Sequence, residues 1–418
     1  MRASMISAAL VATLVGYGST IALVLAAAAA VGADAAQTAS WVAAVSVAKG
    51  LGSAFLSWKT RIPVVLAWST PGAALIAAST GIGIHEAVGA FVLAGGLIAL
   101  TGVVPALARA IGSIPPAVAA AMLAGVLLPF LMAVARHAAA LPALILPLVA
   151  VFLIARLLNP VFAALVTLAA GIALAVLQPG AALPPPAFDP WPFAFIAPAF
   201  DPAVLIGLGV PLYLVTMASQ NLPGFAVLRA NGYEPPVRPA LLVTGGGSAL
   251  AALWGAHTFN MAAITAAICL DPGVEPDRAR RWRVGLVYGA FWVTLGLAGS
   301  LILPAILALP PEIVATVAGL ALISPFLGAA AQAFEPPATR FAAAVTFATT
   351  ASGVAAFGIG AAFWGLAAGL AVLALDRAQS VRRSSAGRYR QQGAGSPEAG
   401  TARSTPPAPP GSAPPSPP

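Results

Sequence analysis

The sequence predicts an all-α polytopic membrane protein in which fourteen transmembrane segments form a 7+7 inverted repeat. Composition predicts the membrane class, because 60% of the 418 residues are hydrophobic and only 8% are charged. Soluble domains carry about 25% charged residues. Apolar stretches also recur along the chain, and most are close to the length of about 20 residues that crosses a bilayer as a helix. The single cysteine, Cys269, excludes an intramolecular disulfide and a thiolate metal cluster.

Pro, Gly and charged residues divide the apolar sequence into segments. The predicted segments are 6–30, 38–57, 63–80, 86–107, 115–135, 140–157, 160–178, 203–228, 238–253, 257–270, 284–307, 312–333, 341–356 and 358–376. The third and tenth are short for complete spans, and we expect half-helices there.

The basic residues predict the orientation of these segments. With the N-terminus in the cytoplasm, 18 of the 20 Lys and Arg residues fall on the cytoplasmic side, as in the positive-inside pattern. Both termini are therefore expected in the cytoplasm. The exceptions are Lys49, inside the second segment, and Arg136, at the end of the fifth. Because the net charge of +8 is explained by orientation, no nucleic-acid partner is expected.

The two halves of the chain carry similar motifs at a spacing of about 195 residues. Ile114–Pro116 resembles Leu309–Pro311, and Ala169–Ala173 resembles Ala367–Ala371. Since seven is odd, the second half would cross the membrane in the opposite sense, which is an architecture typical of secondary transporters. The predicted divisions are a first repeat (1–178), an external linker (179–202), a second repeat (203–376) and a disordered cytoplasmic tail (377–418).

Three short polar stretches interrupt the apolar segments, at Ser69–Gly72, Ser219–Gly224 and His257–Asn260. Polar side chains beside Pro or Gly are costly in hydrocarbon, so such stretches are expected to line a cavity. In inverted-repeat transporters, broken segments of the two halves meet at the substrate. We therefore expect the three stretches to converge on one substrate.

The half-helix starts of the third and tenth segments would together attract an anion without a buried Lys or Arg. Ser69 or Thr70 is expected to cap the first start, and Thr258 or Asn260 the second. The expected substrate contacts are Tyr17, Ser69, Thr70, Ser219, Gln220, Asn221, Thr258, Phe259 and Asn260. The alternatives are that the hydroxyls bond to their own helices and that the aromatic rings only pack.

His257 is the expected proton-coupling residue, because histidine takes up and releases protons in the working pH range. The alternatives are a hydrogen-bonded structural histidine and a proton carried on the substrate's own carboxylate. The sequence contains no metal cluster, nucleophile–base pair or phosphate loop, so no metal, cofactor or catalytic residue is expected and the chain is not predicted to be an enzyme.

The stretch Met217–Tyr233 resembles the signature of the BenE family of benzoate–proton symporters. Ala67–Leu75, Asn260–Cys269, Pro276–Arg281 and Ala362–Leu366 resemble further motifs of that family, and the resemblance runs from about residue 6 to 376. It implies import of benzoate, or a similar small aromatic carboxylate, with protons across a bacterial inner membrane.

The resemblance also implies a fold like that of nucleobase/ascorbate and sulfate-type transporters, with a core domain and a gate domain. The gate would be built from segments 5–7 and 12–14. Gln220 and Asn260 stand where those relatives carry acidic residues. The alternative functions are a transporter of the same fold for a nucleobase or an inorganic anion, and an anion channel. The expected partners are substrate, protons and lipid, and a homodimer is left open.

Overall fold

The structure is a computed structural model that describes residues 2–160, 162–177, 185 and 188–393. Helices of the first half are α1 (Ala3–Ala30), α2 (Ala35–Thr60), α3 (Thr70–Ala77), α4 (Ile84–Val103), α5 (Pro105–Gly112), α6 (Pro116–Ala140), α7 (Pro142–Leu158) and α8 (Ala163–Val176). The described residues up to Val372 form one compact unit, and those from Leu373 onward form a second.

The second half begins with one long helix, α9 (Pro202–Ala230). The remaining helices are α10 (Val237–Ala251), α11 (Ile264–Leu270), α12 (Arg283–Leu297), α13 (Gly299–Leu307), α14 (Pro311–Ala321), α15 (Ile323–Phe334), α16 (Arg340–Ala351) and α17 (Ala361–Gly393). Within the described residues, six helices are long and apolar enough to cross a membrane, or up to eight if each bent pair is one span. The described fold is therefore that of a mostly helical membrane protein, and the number of crossings stays a prediction.

Two short strands make the fold differ from the all-α prediction. Strand β1 (Leu66–Trp68) pairs antiparallel with β2 (Phe259–Met261), and Ala67 lies opposite Asn260. The physical reason is that extended backbone inside a membrane protein needs hydrogen-bond partners, which here come from the other half of the chain. The strands precede the short helices α3 and α11, so they bring the third and tenth predicted segments together.

Helix α9 contains two wide π turns, at Leu205–Gly209 and Met217–Asn221. Each is followed at once by a helical turn with proline near its start, Pro211 and Pro223. Proline has no N–H to donate and crowds the preceding turn, and a π turn accommodates both effects. A widened turn at Met217–Asn221 thus lies directly before Pro223-Gly224, where the sequence predicted a kink.

Several element boundaries differ from the predicted ones. Pro105 ends α4 and starts the separate helix α5, which the sequence reading did not predict. The predicted eleventh and twelfth segments are each bent pairs of helices, at 57° and 42°. The last helix continues past 376 to Gly393, because Ala, Gln and Arg favour helix even though Gln and Arg are polar. Residues 394–418 of the predicted tail lie outside the described residues, as do most of residues 179–187.

The described part of the linker is extended and is hydrogen-bonded to the ends of helices. Ile196 donates its backbone N–H to the Leu253 carbonyl, and Ala199 donates to the His85 carbonyl. Ala194 donates to the hydroxyl of Ser40 in α2.

Helices α6–α8 pack against α14–α16. Small and aromatic side chains form this contact: Ala121 of α6 clusters with Ala333 and Ala343, and Phe152 of α7 clusters with Leu320. These helices correspond to most of the segments predicted for the gate. The strands and the polar stretches lie among α1, α2, α3, α9 and α10, and α6 also contacts α3 and the second π turn of α9.

Candidate functional site

Three buried hydroxyls join two of the predicted polar stretches, Ser69–Gly72 and His257–Asn260, through helix α9. The Oγ of Ser69 lies 3.1 Å from the Oγ1 of Thr216, which lies 2.9 Å from the Oγ1 of Thr258. All three side chains are fully buried. Ser69 also accepts a hydrogen bond from the backbone N–H of Gly72 at 3.1 Å, which confirms it as the cap of α3. Thr216 of α9 is the central residue of this chain of hydroxyls, and the sequence did not identify it as a site residue.

Two amide side chains face each other beside these hydroxyls. The Nδ2 of Asn260 lies 3.5 Å from the Oε1 of Gln220 and donates to the Met261 carbonyl at 2.8 Å. The Oδ1 of Asn260 is buried and has no hydrogen-bond partner among the described residues. Gln220 is half-buried. This pair offers both donors and an unused acceptor.

Asn221 holds the π turn of α9 against β2. Its Oδ1 accepts the backbone N–H of Met261 at 2.9 Å, and its Nδ2 lies 3.3 Å from the sulfur of Met217. Ser219 donates to the Val215 carbonyl of its own helix. The alternative of a hydroxyl bonded within its own helix therefore holds for Ser219.

Thr70 extends the polar cluster to α1. Its Oγ1 lies 3.1 Å from the Oγ1 of Thr20, a second residue that the sequence reading did not select. Thr70 is half-buried. The hydroxyl bond ties the first turn of α3 to α1.

The expectation that Thr258 or Asn260 caps the tenth-segment helix is wrong. The N-cap of α11 is Ala263, which makes no side-chain capping bond. Asn260 lies inside β2 and Thr258 immediately before it, because strand pairing occupies Phe259–Met261 before the helix begins. The structure therefore places the β1–β2 strand pair beside the start of α3, and two residues separate the end of β2 from the start of α11.

The two aromatic candidates lie in different surroundings. The ring of Tyr17 is 5.8 Å from that of Trp68 and 6.3 Å from that of Trp292, and its buried hydroxyl has no partner among the described residues. Phe259 precedes Asn260 in β2 and so points to the opposite face of the strand pair. It lines an apolar groove of about 460 Å³ between α2 and α10. The structure does not place Phe259 against Gln220.

Lys49 lies near the middle of α2 and is fully buried. Its Nζ is 3.1 Å from the centroid of the Trp292 ring and 3.6 Å from that of Trp68. An indole face stabilises an ammonium by about 0.5–2 kcal/mol, whereas removing the ion from water costs several kcal/mol. The sequence identified Lys49 as an exception to the charge pattern and left open whether it faces the cavity or snorkels to the membrane surface. Its position deep inside a predicted span was the sequence signal that could have marked Lys49 as a functional residue.

His257 contacts α2, the helix that carries Lys49. Its Nδ1 accepts a hydrogen bond from the Nε1 of Trp41 in α2 at 2.9 Å, and its Nε2 has no partner among the described residues. Since Nδ1 accepts, the imidazole is neutral with its hydrogen on Nε2. Taking a second proton at Nδ1 requires that the bond to Trp41 break. The proton-coupling role of His257 stays a prediction.

Comparison with protein families identifies the chain. Residues 1–375 match the model of BenE, described as benzoate membrane transport protein. The chain belongs to the BenE family. The resemblance seen in its motifs is confirmed, and the protein is a membrane transporter.

Curated relatives of this BenE-family transporter are similar over most of their length. It is 39% identical over 363 residues to inner membrane protein YdcO of Escherichia coli K12, which covers 87% of this chain and 93% of that protein. It is 32% identical over 332 residues to the benzoate membrane transport protein of Acinetobacter baylyi, covering 79% and 84%.

Solved structures share the fold at low sequence identity. The transmembrane domain of the cyanobacterial bicarbonate transporter BicA matches with a TM-score of 0.57 at 13% identity, over 88% of this chain and 98% of that chain. The structure of SLC26A9 matches with a TM-score of 0.59 at 14% identity, over 89% and 65%. A mostly helical membrane-transporter fold is thereby confirmed, and the fourteen-segment 7+7 arrangement with its half-helices stays a prediction.

Proposed function

We propose that this BenE-family transporter imports benzoate, or a similar small aromatic carboxylate, together with protons across the inner membrane by alternating access. The observation that carries the proposal is the convergence of uncharged polar groups at the strand pair, where Ser69, Thr216 and Thr258 meet beside Gln220 and Asn260. Hydroxyl and amide N–H groups are suitable donors for a carboxylate. The name of the Acinetobacter baylyi relative supports the choice of benzoate.

The proposed substrate site combines the polar residues of both halves. Its residues are Ser69, Thr70, Ser219, Gln220, Asn221, Thr216, Thr258 and Asn260. Tyr17 is the remaining candidate for the contact with the aromatic ring, because Phe259 points to the opposite face of the strand pair. Asn221 acts mainly by fixing β2, because its acceptor oxygen is already used by Met261. Gln220 is the residue through which the site is best tested, since it is half-buried and its side chain faces Asn260.

The proposed transport cycle uses the fourteen-segment, 7+7 inverted arrangement. Segments 3 and 10 supply the half-helices α3 and α11, and the helices around the strands form the core. Segments 5–7 and 12–14 form the gate, a division supported by the packing of α6–α8 on α14–α16. Both termini lie in the cytoplasm, and two copies form a homodimer.

An inorganic anion is the second candidate substrate. The support for it comes from the two aromatic candidates, which already have other neighbours. Phe259 faces the groove between α2 and α10, and Tyr17 packs with Trp68 and Trp292. The hydroxyl and amide groups alone do not select an aromatic ring. Competition by unlabelled bicarbonate, nucleobases and substituted benzoates distinguishes these substrates from benzoate.

The test is uptake of labelled benzoate by proteoliposomes with an inward proton gradient. We expect accumulation that collapses with a protonophore, whereas a channel would not concentrate the substrate. Protein-free liposomes are the essential control, because neutral benzoic acid crosses bilayers unaided.

The matched variants are Gln220→Ala and Gln332→Ala. Gln332 is exposed on α15, so its truncation is expected to leave uptake unchanged. Gln220→Ala is expected to raise the KM for benzoate at least about tenfold, equivalent to the loss of about 1.4 kcal/mol of binding. Wild-type uptake by the Gln220 variant would remove this residue from the site.

A further inference from the structure

The described residues include one fully buried lysine, Lys49, and no acidic side chain among them forms an ion pair with it. The Nζ of Lys49 makes no hydrogen bond, and the ion pairs found are Arg2 with Glu275 and Arg280 with Asp277, both away from α2. Trp68 and Trp292 cover the amine from two sides. An ionisable group at this depth in a membrane span is a candidate for a role in transport.

We propose that Lys49 is the proton carrier of the transport cycle, gaining its proton when the anion binds and losing it when the anion leaves. The inference rests on the proposed function, because it takes proton-coupled anion import as given. In this step the neutral amine of Lys49 takes one proton from solution and becomes an ammonium, while the carboxylate of the substrate binds to the same protein and stays ionised.

The physical reason is charge compensation across the strand pair. Trp68, whose ring covers the amine, directly precedes Ser69, whose hydroxyl begins the polar chain on the α9 side. Without an anion, the two indole faces compensate only part of the cost of burying an ammonium. A carboxylate beside Ser69 supplies the missing opposite charge, and direct contact is not needed because charges interact over longer distances in a medium of low dielectric.

The other titratable groups around Lys49 are poorly suited to this role. Tyr17 of α1 and Tyr288 of α12 face the same cluster, and Tyr288 donates its hydroxyl to the Leu66 carbonyl. His257 lies close enough for its charge to interact with that of Lys49. Its Nδ1 is already bonded to Trp41. Positive charges on His257 and Lys49 would repel each other. We therefore expect only one of the two side chains to be protonated at a time.

The experiment measures proton uptake on anion binding by the whole protein in weakly buffered detergent solution with a pH indicator. The probes are benzoate, salicylate and bicarbonate. We expect the wild type to take up about one proton per bound anion, as linkage requires of a group that titrates with binding. Lys49→Arg, which is permanently charged, and Lys49→Met, which is permanently neutral, are expected to take up none.

Transport gives the second readout. In proteoliposomes, Lys49→Arg is expected to lower the ratio of proton-driven accumulation to anion exchange at least tenfold, because exchange needs no net release of the proton. Lys59→Met, at the exposed last turn of α2, is the matched control and keeps the wild-type ratio. Size-exclusion chromatography establishes that each variant is folded.

The outcomes separate the two claims. Wild-type proton uptake with bicarbonate but not with benzoate would reject the proposed substrate and keep Lys49 as the carrier. Proton uptake that persists in either folded Lys49 variant would overturn the proposal and leave His257, tested as His257→Gln. The proposal is also overturned if none of the three anions causes proton uptake by the wild type.

Discussion

At the scale of single residues, Thr216 is the side chain that joins the site together. Its hydroxyl bonds to both Ser69 and Thr258, which come from opposite halves of the chain. The sequence did not reveal this role, because an isolated threonine in an apolar helix usually bonds to its own backbone. One signal was available: Thr216 stands four residues before Gln220, a spacing that places both on one helix face.

Replacing Thr216 with Val removes both hydroxyl bonds and keeps the shape of the side chain. We expect Thr216→Val to weaken benzoate uptake at least tenfold and to lower stability by about 1–3 kcal/mol, because Ser69 and Thr258 lose a buried partner. The measurements are uptake kinetics and the midpoint of thermal unfolding in detergent.

The matched control is Thr244→Val. Thr244 is equally buried, and its hydroxyl donates to the Ala240 carbonyl of its own helix α10. We expect this change to leave uptake within about twofold of the wild type, since helix-internal hydroxyl bonds contribute little. Equal losses of benzoate uptake in both variants would show that the hydroxyl of Thr216 has no specific role in the site.

At the scale of elements, the close approach of α9 to β2 depends on a glycine. A Cβ at Gly224 would contact the Cβ of Met261 and come 3.0 Å from the Ala262 carbonyl oxygen. The sequence correctly indicated the importance of Pro223-Gly224 but suggested a kink as the reason. The strand that needs the space was not predictable, because three extended residues carry little periodicity.

Gly224→Ala is therefore expected to destabilise the protein by about 1–3 kcal/mol through overpacking. The control is Gly246→Ala in α10, where a Cβ would meet no atom within 4 Å. Alanine favours helix over glycine, so this control is expected to be neutral or stabilising by up to about 1 kcal/mol. Thermal unfolding midpoints of the two purified variants make the comparison, and a stable Gly224 variant would contradict the packing argument.

At the scale of the whole molecule, apolar length and punctuation predicted most element positions. All predicted segments overlap described helices, since burial in lipid demands long apolar runs. The bend between α12 and α13 at Ala298 was not predicted, although Gly299 and Ser300 directly after it are residue types that accompany helix kinks. The partner residues of the site come from distant parts of the chain.

The predicted number of crossings has a direct test. In a Cys269→Ala background, cysteines replace Asp189, in the exposed linker, or Arg280, in the exposed loop before α12. Three crossings separate these positions if the tenth segment spans the membrane. An impermeant maleimide added to intact cells is then expected to label position 189 only, and position 280 only after lysis. Labelling of both in intact cells would contradict the fourteen-segment topology, and the background variant controls for unspecific reaction.

The pairing of β1 with β2 also constrains how the protein is made. Leu66–Trp68 leaves the ribosome long before Phe259–Met261, because almost half of the chain lies between them. At about 5–20 residues per second, the first strand waits roughly ten seconds or more for its partner. During that interval its backbone N–H and C=O groups lack their final partners inside or beside the bilayer, where such groups are costly. Biogenesis must therefore shelter the unfinished first half until the second half is inserted.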